Sequence, residues 1–198
     1  MRLKKDFFLR NADVTAKDLL GNIFVLKKSN EVYRFRITET EAYCGIYDKA
    51  SHSYGGKITE RNSTMYKKGG TVYVYMIYGM YFCLNVVCRE EGEPQAVLIR
   101  GAEPLDHKEE ILFNSGKKNI CKTTNGPGKI CRIYGIDKSF NGIDLTENKF
   151  FYIEKGNKNF DVLCDKRINI DYSEEYRYKE WRFLISGSNF VSKKVSEM

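Results

Sequence analysis

Residues 69–88 constrain the chain more than any other stretch. They read Gly-Gly-Thr-Val-Tyr-Val-Tyr-Met-Ile-Tyr-Gly-Met-Tyr-Phe-Cys-Leu-Asn-Val-Val-Cys and carry no charge over 20 positions. Such a run is either a membrane helix or buried sheet. A spanning helix would leave four tyrosines, a central glycine and an asparagine in hydrocarbon, whereas tyrosine prefers the membrane interface. β-Branched and aromatic residues suit strands. The stretch therefore reads as a β-hairpin over 71–88, turning at Tyr78-Gly79-Met80-Tyr81, and no membrane association is expected. A two-residue turn at Gly79-Met80 would pair Tyr75 with Leu84 and leave Asn85 on the opposite face. For Tyr75 and Asn85 to share a pocket, the hairpin needs a three-residue loop or a bulge.

The rest of the chain reads as short elements. A helix over 14–20 ends at Gly21, strands fill 22–28 and 31–43, and Ser29-Asn30 turns between them. Residues 95–100 form another strand. Pro104 at a first helical position opens a helix to about 113, and Pro127 opens one over 127–134 that stops at Gly135. Strands near 150–153 and 181–186 close the chain. Strands dominate the first half with short loops between them. The expected fold is α+β: one domain over 1–198 with a curved, mostly antiparallel sheet, flanking helices and a protruding β-hairpin. A length of 198 residues suits one domain.

Strand 31–43 carries the first chemistry. Tyr33, Phe35, Ile37, Glu39, Glu41 and Tyr43 share one face by the period of two. An apolar face running into two carboxylates and a tyrosine either leaves the core there or enters a cleft. A carboxylate beside an aromatic ring in a cleft is a candidate water-activating base. The pattern itself does not choose between Glu39 and Glu41. A sugar-hydrolase pair is the competing interpretation, but its two carboxylates must flank the scissile bond, which adjacent same-face positions make awkward.

The hairpin crowds Tyr73, Tyr75, Tyr78, Tyr81 and Phe82 into ten residues. Tyr73 and Phe82 read as core. Tyrosines at a turn tip suit wedging into a base stack or holding an unstacked base. Asn85 interrupts an apolar strand and needs hydrogen-bond partners or a pocket. Between Ile111 and Ile136 stand Lys117, Lys118, Lys122, Lys129 and Arg132 and no acid, and Lys57, Arg61, Lys67 and Lys68 precede the hairpin. With a formal charge of +7, these loops favour a polyanionic partner.

Only two histidines, His52 and His107, occur, and none of the six cysteines forms a Cys-x-x-Cys pair, so no metal site is expected. Met1 runs straight into charged residues with no signal peptide, which fits a cytoplasmic protein with reduced thiols.

Glu39-Thr40-Glu41-Ala42-Tyr43, Ala50-Ser51-His52-Ser53, Arg61-Asn62 and the whole string from Tyr73 to Asn85 resemble the alkyladenine (3-methyladenine) DNA glycosylase family. The likeness continues through Val97-Leu98-Ile99-Arg100-Gly101-Ala102-Glu103-Pro104, Gly126-Pro127-Gly128-Lys129 and Trp181-Arg182-Phe183, in the family's order. Residues 169–176 depart from it and are expected to be irregular.

That resemblance implies a monofunctional base-excision enzyme needing no cofactor. Its partner would be double-stranded DNA containing damaged purines, and it would work as a monomer, cytoplasmic and nucleoid-associated in a prokaryote. It implies that Glu41 deprotonates the attacking water and that Arg100 helps hold it. Tyr43, His52 and Tyr75 would enclose the flipped base, Tyr78 would wedge into the gap, and Asn85 would reject guanine. Arg61, Met80, Tyr81 and Lys129 would contact the DNA backbone. Expected substrates are 3-methyladenine and 7-methylguanine, with deaminated or etheno purines as an extension. The alternative from another class is a non-catalytic nucleic-acid-binding module on the same fold.

Overall fold

In this computed structural model, which describes residues 1–195, the chain runs α1 (Lys5–Phe8), α2 (Ala12–Leu19), β1 (Ile23–Lys28), β2 (Glu31–Tyr43), β3 (Val72–Ile77), β4 (Tyr81–Cys88), β5 (Gln95–Pro104), α3 (Lys108–Ser115), α4 (Pro127–Tyr134), β6 (Phe151–Glu154), β7 (Val162–Asp165) and β8 (Arg182–Ile185). The eight strands form one antiparallel sheet ordered β3-β4-β5-β2-β1-β6, with β8 pairing to β2 and β7. The expected α+β class holds. No helix among the described residues is long and apolar enough to cross a membrane.

β2 organises the sheet. Its first half pairs with β1 around Ser29-Asn30, where Ser29 takes a φ of 51°. Where β1 stops, β8 takes over the same edge and sets Leu184, Phe183 and Arg182 against Glu39, Thr40 and Glu41. β5 occupies the other edge. Between the pairs Ile37–Ala102 and Thr40–Ile99 the register slips around Glu39–Gly101, so Thr38 and Arg100 drop out of the pairing. Such irregularities re-aim side chains. A Cβ at position 101 would stand 2.4 Å from the Phe190 carbonyl oxygen and 2.9 Å from Glu39 Cβ, so the close approach needs glycine.

Helices and rings seal the sheet. α2 lies behind β2, where Thr40 Oγ1 donates to the Ala16 carbonyl at 2.8 Å. Phe24 stacks on Phe35 and Phe151 at 5.1 and 5.0 Å, and Phe35 stacks on Tyr134 of α4 at 4.1 Å. Fully burying each phenylalanine contributes about 1.5–3 kcal/mol.

Two expectations shift. The helix placed at 14–20 spans Ala12–Leu19. Pro104 does not open a helix: it ends β5 opposite Phe35, and α3 begins at Lys108. The missing N–H is tolerated there because β4 pairs with β5 only from Gln95 to Leu98. The irregular reading of 169–176 is met by a 3₁₀ segment, Asp171–Tyr178, broken by non-helical backbone at Ser173 and Glu174.

Candidate active site

Sheet register alone assembles a site. Tyr73 lies opposite Asn85, Asn85 opposite Leu98, Leu98 opposite Glu41 and Glu41 opposite Arg182. Cross-strand partners share a face, and so do residues two apart. Tyr75, Cys83, Ala96, Arg100, Glu39 and Tyr43 therefore join the same face. Tyr75 pairs with Cys83 because the hairpin closes with a three-residue loop, Tyr78-Gly79-Met80, between Ile77 and Tyr81. Tyr78 and Gly79 both take positive φ, 52° and 69°. This loop is the geometry that lets Tyr75 and Asn85 share a pocket.

A cavity of about 620 Å³ opens over this face. Tyr43, His52, Tyr75, Asn85 and Arg100 line it, as do Tyr78, Tyr81 and Lys129 of the rim. Arg61 and Met80 are not part of the lining. Arg61 sits over the Tyr75 ring at 5.5 Å, and Met80 is exposed at the hairpin tip.

Glu41 is fully buried and lies one layer behind the cavity wall. Its Oε2 accepts from the Tyr43 hydroxyl at 2.9 Å and from Arg100 Nη1 at 3.3 Å, and its Oε1 accepts from the Ile168 backbone N–H at 2.8 Å. Tyr43, Arg100 and Ile168 all line the cavity. Burial, then the charge of Glu41, holds the Tyr43 pKa well above its ordinary value, so the hydroxyl stays a donor. Burial alone would lower the Arg100 pKa, but Glu41 and Glu39 beside it raise it.

Glu39 is equally buried and differently held. Its Oε1 accepts from Arg182 Nη1 and Ser192 Oγ, both at 2.8 Å, and its Oε2 accepts from the Ser192 N–H at 2.5 Å. The two carboxylates left open by the strand pattern are thus separated by their partners: Glu41 is held by Tyr43 and Arg100, which line the cavity, and Glu39 by Arg182 and Ser192, which do not.

Behind Tyr43 stands a second ion pair. Arg167 donates to both Asp48 oxygens at 2.6 and 2.8 Å, and both side chains are fully buried. Its guanidinium lies 4.9 Å from the Tyr43 ring centre and 5.0 Å from that of Trp181. Removing one partner of such a pair costs about 3–5 kcal/mol through the uncompensated charge left behind.

His52 stands at the rim. Its Nδ1 is 2.9 Å from the Tyr73 hydroxyl, and its ring meets Tyr75 edge-on at 4.5 Å. Desolvation where its ring packs on Tyr73 and Tyr75, then the positive Arg61, pushes its pKa down to about 4, although the residue stays exposed to solvent. Asn85 Nδ2 donates to the Tyr73 and Cys83 carbonyls at 3.1 and 3.3 Å. Tyr78 is 79% exposed at the hairpin tip, where a partner can reach it.

Several residues escaped sequence reasoning. Tyr73 reads as core and is indeed buried, yet it also lines the cavity and bonds His52. Phe82 packs on the core as expected. Asp48, Arg167, Ile168 and Ser192 gave no pattern. Arg182 belonged to the Trp181-Arg182-Phe183 match, which could have flagged it. Among the described residues no group of three or more His, Cys, Asp or Glu is placed to hold a metal ion.

A sequence model of the family described as Methylpurine-DNA glycosylase matches residues 6–189. A protein of Desulfitobacterium hafniense (strain Y51) is 46% identical over 201 residues, spanning 98% of this chain and 99% of its own. One of Clostridium perfringens (strain 13 / Type A) is 46% identical over 208 residues, spanning 98% and 100%. One of Borreliella burgdorferi (strain ZS7) is 48% identical over 190 residues, spanning 95% and 98%. The names of all three provisionally assign them as 3-methyladenine DNA glycosylases.

Proposed function

The chain belongs to the methylpurine-DNA glycosylase family, and from that premise we propose that Glu41 activates the water that hydrolyses the N-glycosidic bond of a flipped-out alkylated purine. The protein is a DNA glycosylase, a hydrolase acting on N-glycosyl bonds, and DNA is its partner. The observation that carries the reading is the hydrogen-bond arithmetic at Glu41. An ionised carboxylate offers about four lone-pair sites. Tyr43, Arg100 and the Ile168 N–H take three. The fourth, on Oε1, has no partner among the described residues. Glu41 itself is buried and meets the cavity through Tyr43 and Arg100, so a water would have to enter behind them to reach it.

The chemistry follows from the substrate. An alkylated purine stacks and pairs poorly, so extruding it costs less than extruding a normal base. Methylation at N3 or N7 makes the base cationic, which electron-rich tyrosine faces attract and which also makes it a good leaving group. As the bond to the purine breaks, the sugar gains positive charge, and the carboxylate stabilises it while accepting a proton from the water attacking C1′. Tyr43, Tyr75 and His52 enclose the base, and Asn85 crowds the guanine amino group. Tyr78 fills the gap in the stack, and Arg61, Met80, Tyr81 and Lys129 meet the backbone. The substrates are 3-methyladenine and 7-methylguanine, with deaminated and etheno purines as an extension. The whole chain acts as one domain, a monomer on the asymmetric face of duplex DNA, in the cytoplasm.

Duplex DNA treated with a methylating agent tests this. The wild-type protein is expected to release 3-methyladenine and leave alkali-labile sites. Glu41→Gln should lower the single-turnover rate by about 10²–10⁴-fold and retain lesion binding. Excision by Glu41→Gln at the wild-type rate would falsify the assignment.

A further inference from the structure

We propose that the C-terminal segment 190–193 belongs to the machinery that aims Arg100, with Ser192 as its positioning residue. The inference rests on the roles given to Glu41 and Arg100 above. The segment lies directly on the sheet. Thr38 Oγ1 donates to the Phe190 carbonyl at 2.6 Å, and that carbonyl passes so close to Gly101 that a Cβ there would stand 2.4 Å away. Arg182 Nη1 bridges the Lys193 carbonyl and Glu39 Oε1, both at 2.8 Å. The Ser192 N–H adds its bond to Glu39 Oε2.

These ties bring one hydroxyl between a carboxylate and a guanidinium. Ser192 Oγ donates to Glu39 Oε1 at 2.8 Å and accepts from Arg100 Nε at 3.3 Å. A hydroxyl has one proton and two lone pairs, so this arrangement uses it in both senses. Arg100 is thereby gripped at two ends: Nε by Ser192, and Nη1 by Glu41. Glu39 also stands 3.7 Å from Arg100 Nε, so two buried carboxylates compete for one guanidinium.

Without the hydroxyl, nothing divides Arg100 between them. A turn toward Glu39 withdraws Nη1 from Glu41. A bidentate pairing with Glu41 closes the lone-pair site that the water needs. Either displacement slows the chemical step. The hairpin tip and the basic rim keep their residues, because Ser192 itself lies outside the cavity lining. Ser192→Ala deletes only the hydroxyl; the backbone N–H still holds Glu39 and keeps the segment in place.

The test follows release of 3-methyladenine from methylated duplex DNA under enzyme excess, with DNA affinity measured in parallel. Ser192→Ala is expected to slow excision about tenfold with unchanged affinity, the scale set by losing a hydrogen bond to a charged group. Ser192→Thr, which restores the hydroxyl, should recover the rate to within about twofold of wild type. A wild-type rate for Ser192→Ala overturns the inference. So does an equally slow Ser192→Thr, or a loss confined to DNA affinity. Glu41→Gln runs beside them. If it is inert while Ser192→Ala is unaffected, the inference alone fails; if it excises at full rate, the reading of the site fails and takes the inference with it.

Discussion

His52 serves this cavity as a neutral ring. With its pKa pushed down to about 4 by neighbouring rings and Arg61, it carries no charge at pH 7 and cannot repel a cationic base. The shift has a signed consequence for stability. Because the folded pKa lies below the unfolded value of about 6.5, the unfolded chain binds more protons between them. His52 thus adds no penalty above pH 6.5 and destabilises the fold only weakly as the pH falls from there toward 4, because solvent screens an exposed ring. The ring protons of His52, told apart from those of His107 by a His52→Gln variant, should not shift between pH 8 and about 5.5. A midpoint near 6.5 would refute the neutral assignment. How much of the site was legible depended on this kind of residue-level signal. Glu39, Glu41 and Asn85 stood out because each breaks a periodic strand pattern, but the pattern did not choose between the two carboxylates, and the roles of Glu41 and Tyr43 came from the family resemblance. Asp48 and Arg167 did not, since isolated charges in loops have no period, and their burial and pairing exist only after folding. The Ile168 N–H bond to Glu41 is a backbone contribution that no side-chain pattern encodes.

The hairpin is the element whose sequence and shape agree most closely. Its uncharged run forces strands, and its register follows from one extra loop residue, which was open from sequence and is settled by the pair Ile77–Tyr81. The segment after β7 is the opposite case. Residues 168–172 contribute Ile168, Asn169, Ile170 and Tyr172 to the cavity wall, yet they have neither alternation nor helical spacing to announce it. Pro104 misled because a proline serves a helix start and a strand end equally well; strand β2 decided between them. A bare tyrosine at the hairpin tip, on positive-φ backbone, lets capture be tested apart from chemistry. Tyr78→Ala should weaken binding to lesion-containing duplex by about tenfold, from the loss of one base–aromatic stack. Affinity for undamaged duplex of equal length should change by less than about twofold, because phosphate contacts dominate there. Fluorescence anisotropy with both duplexes measures the two losses, and equal losses would remove the wedge.

Across the whole molecule, charge is distributed to match a duplex. The net +7 is modest, but Lys117, Lys122, Lys129 and Arg132 converge on the rim of the same cavity that Glu41 backs. Crowding is felt there: burial, then Lys117, Lys122 and Arg132, lowers the Lys129 pKa below its ordinary value. Like charges gathered at this cost are expected to be relieved by an anion. Gly128 keeps the start of α4 close to the hairpin, since a Cβ there would stand 3.2 Å from Tyr81 Cβ. The basic rim and the exposed tip therefore act as one face. If phosphates supply the relief, affinity must fall steeply with salt, by a slope near 0.9 for each phosphate neutralised. Lys129→Gln and Lys117→Gln should each weaken binding uniformly across sequences and reduce that slope by about one. The single-turnover excision rate at saturating enzyme should stay close to wild type, because neither side chain contacts Glu41 or Arg100. A slope unchanged by both substitutions would move the DNA elsewhere on the surface. The cavity would then be reached by a path other than the one between the hairpin and α4.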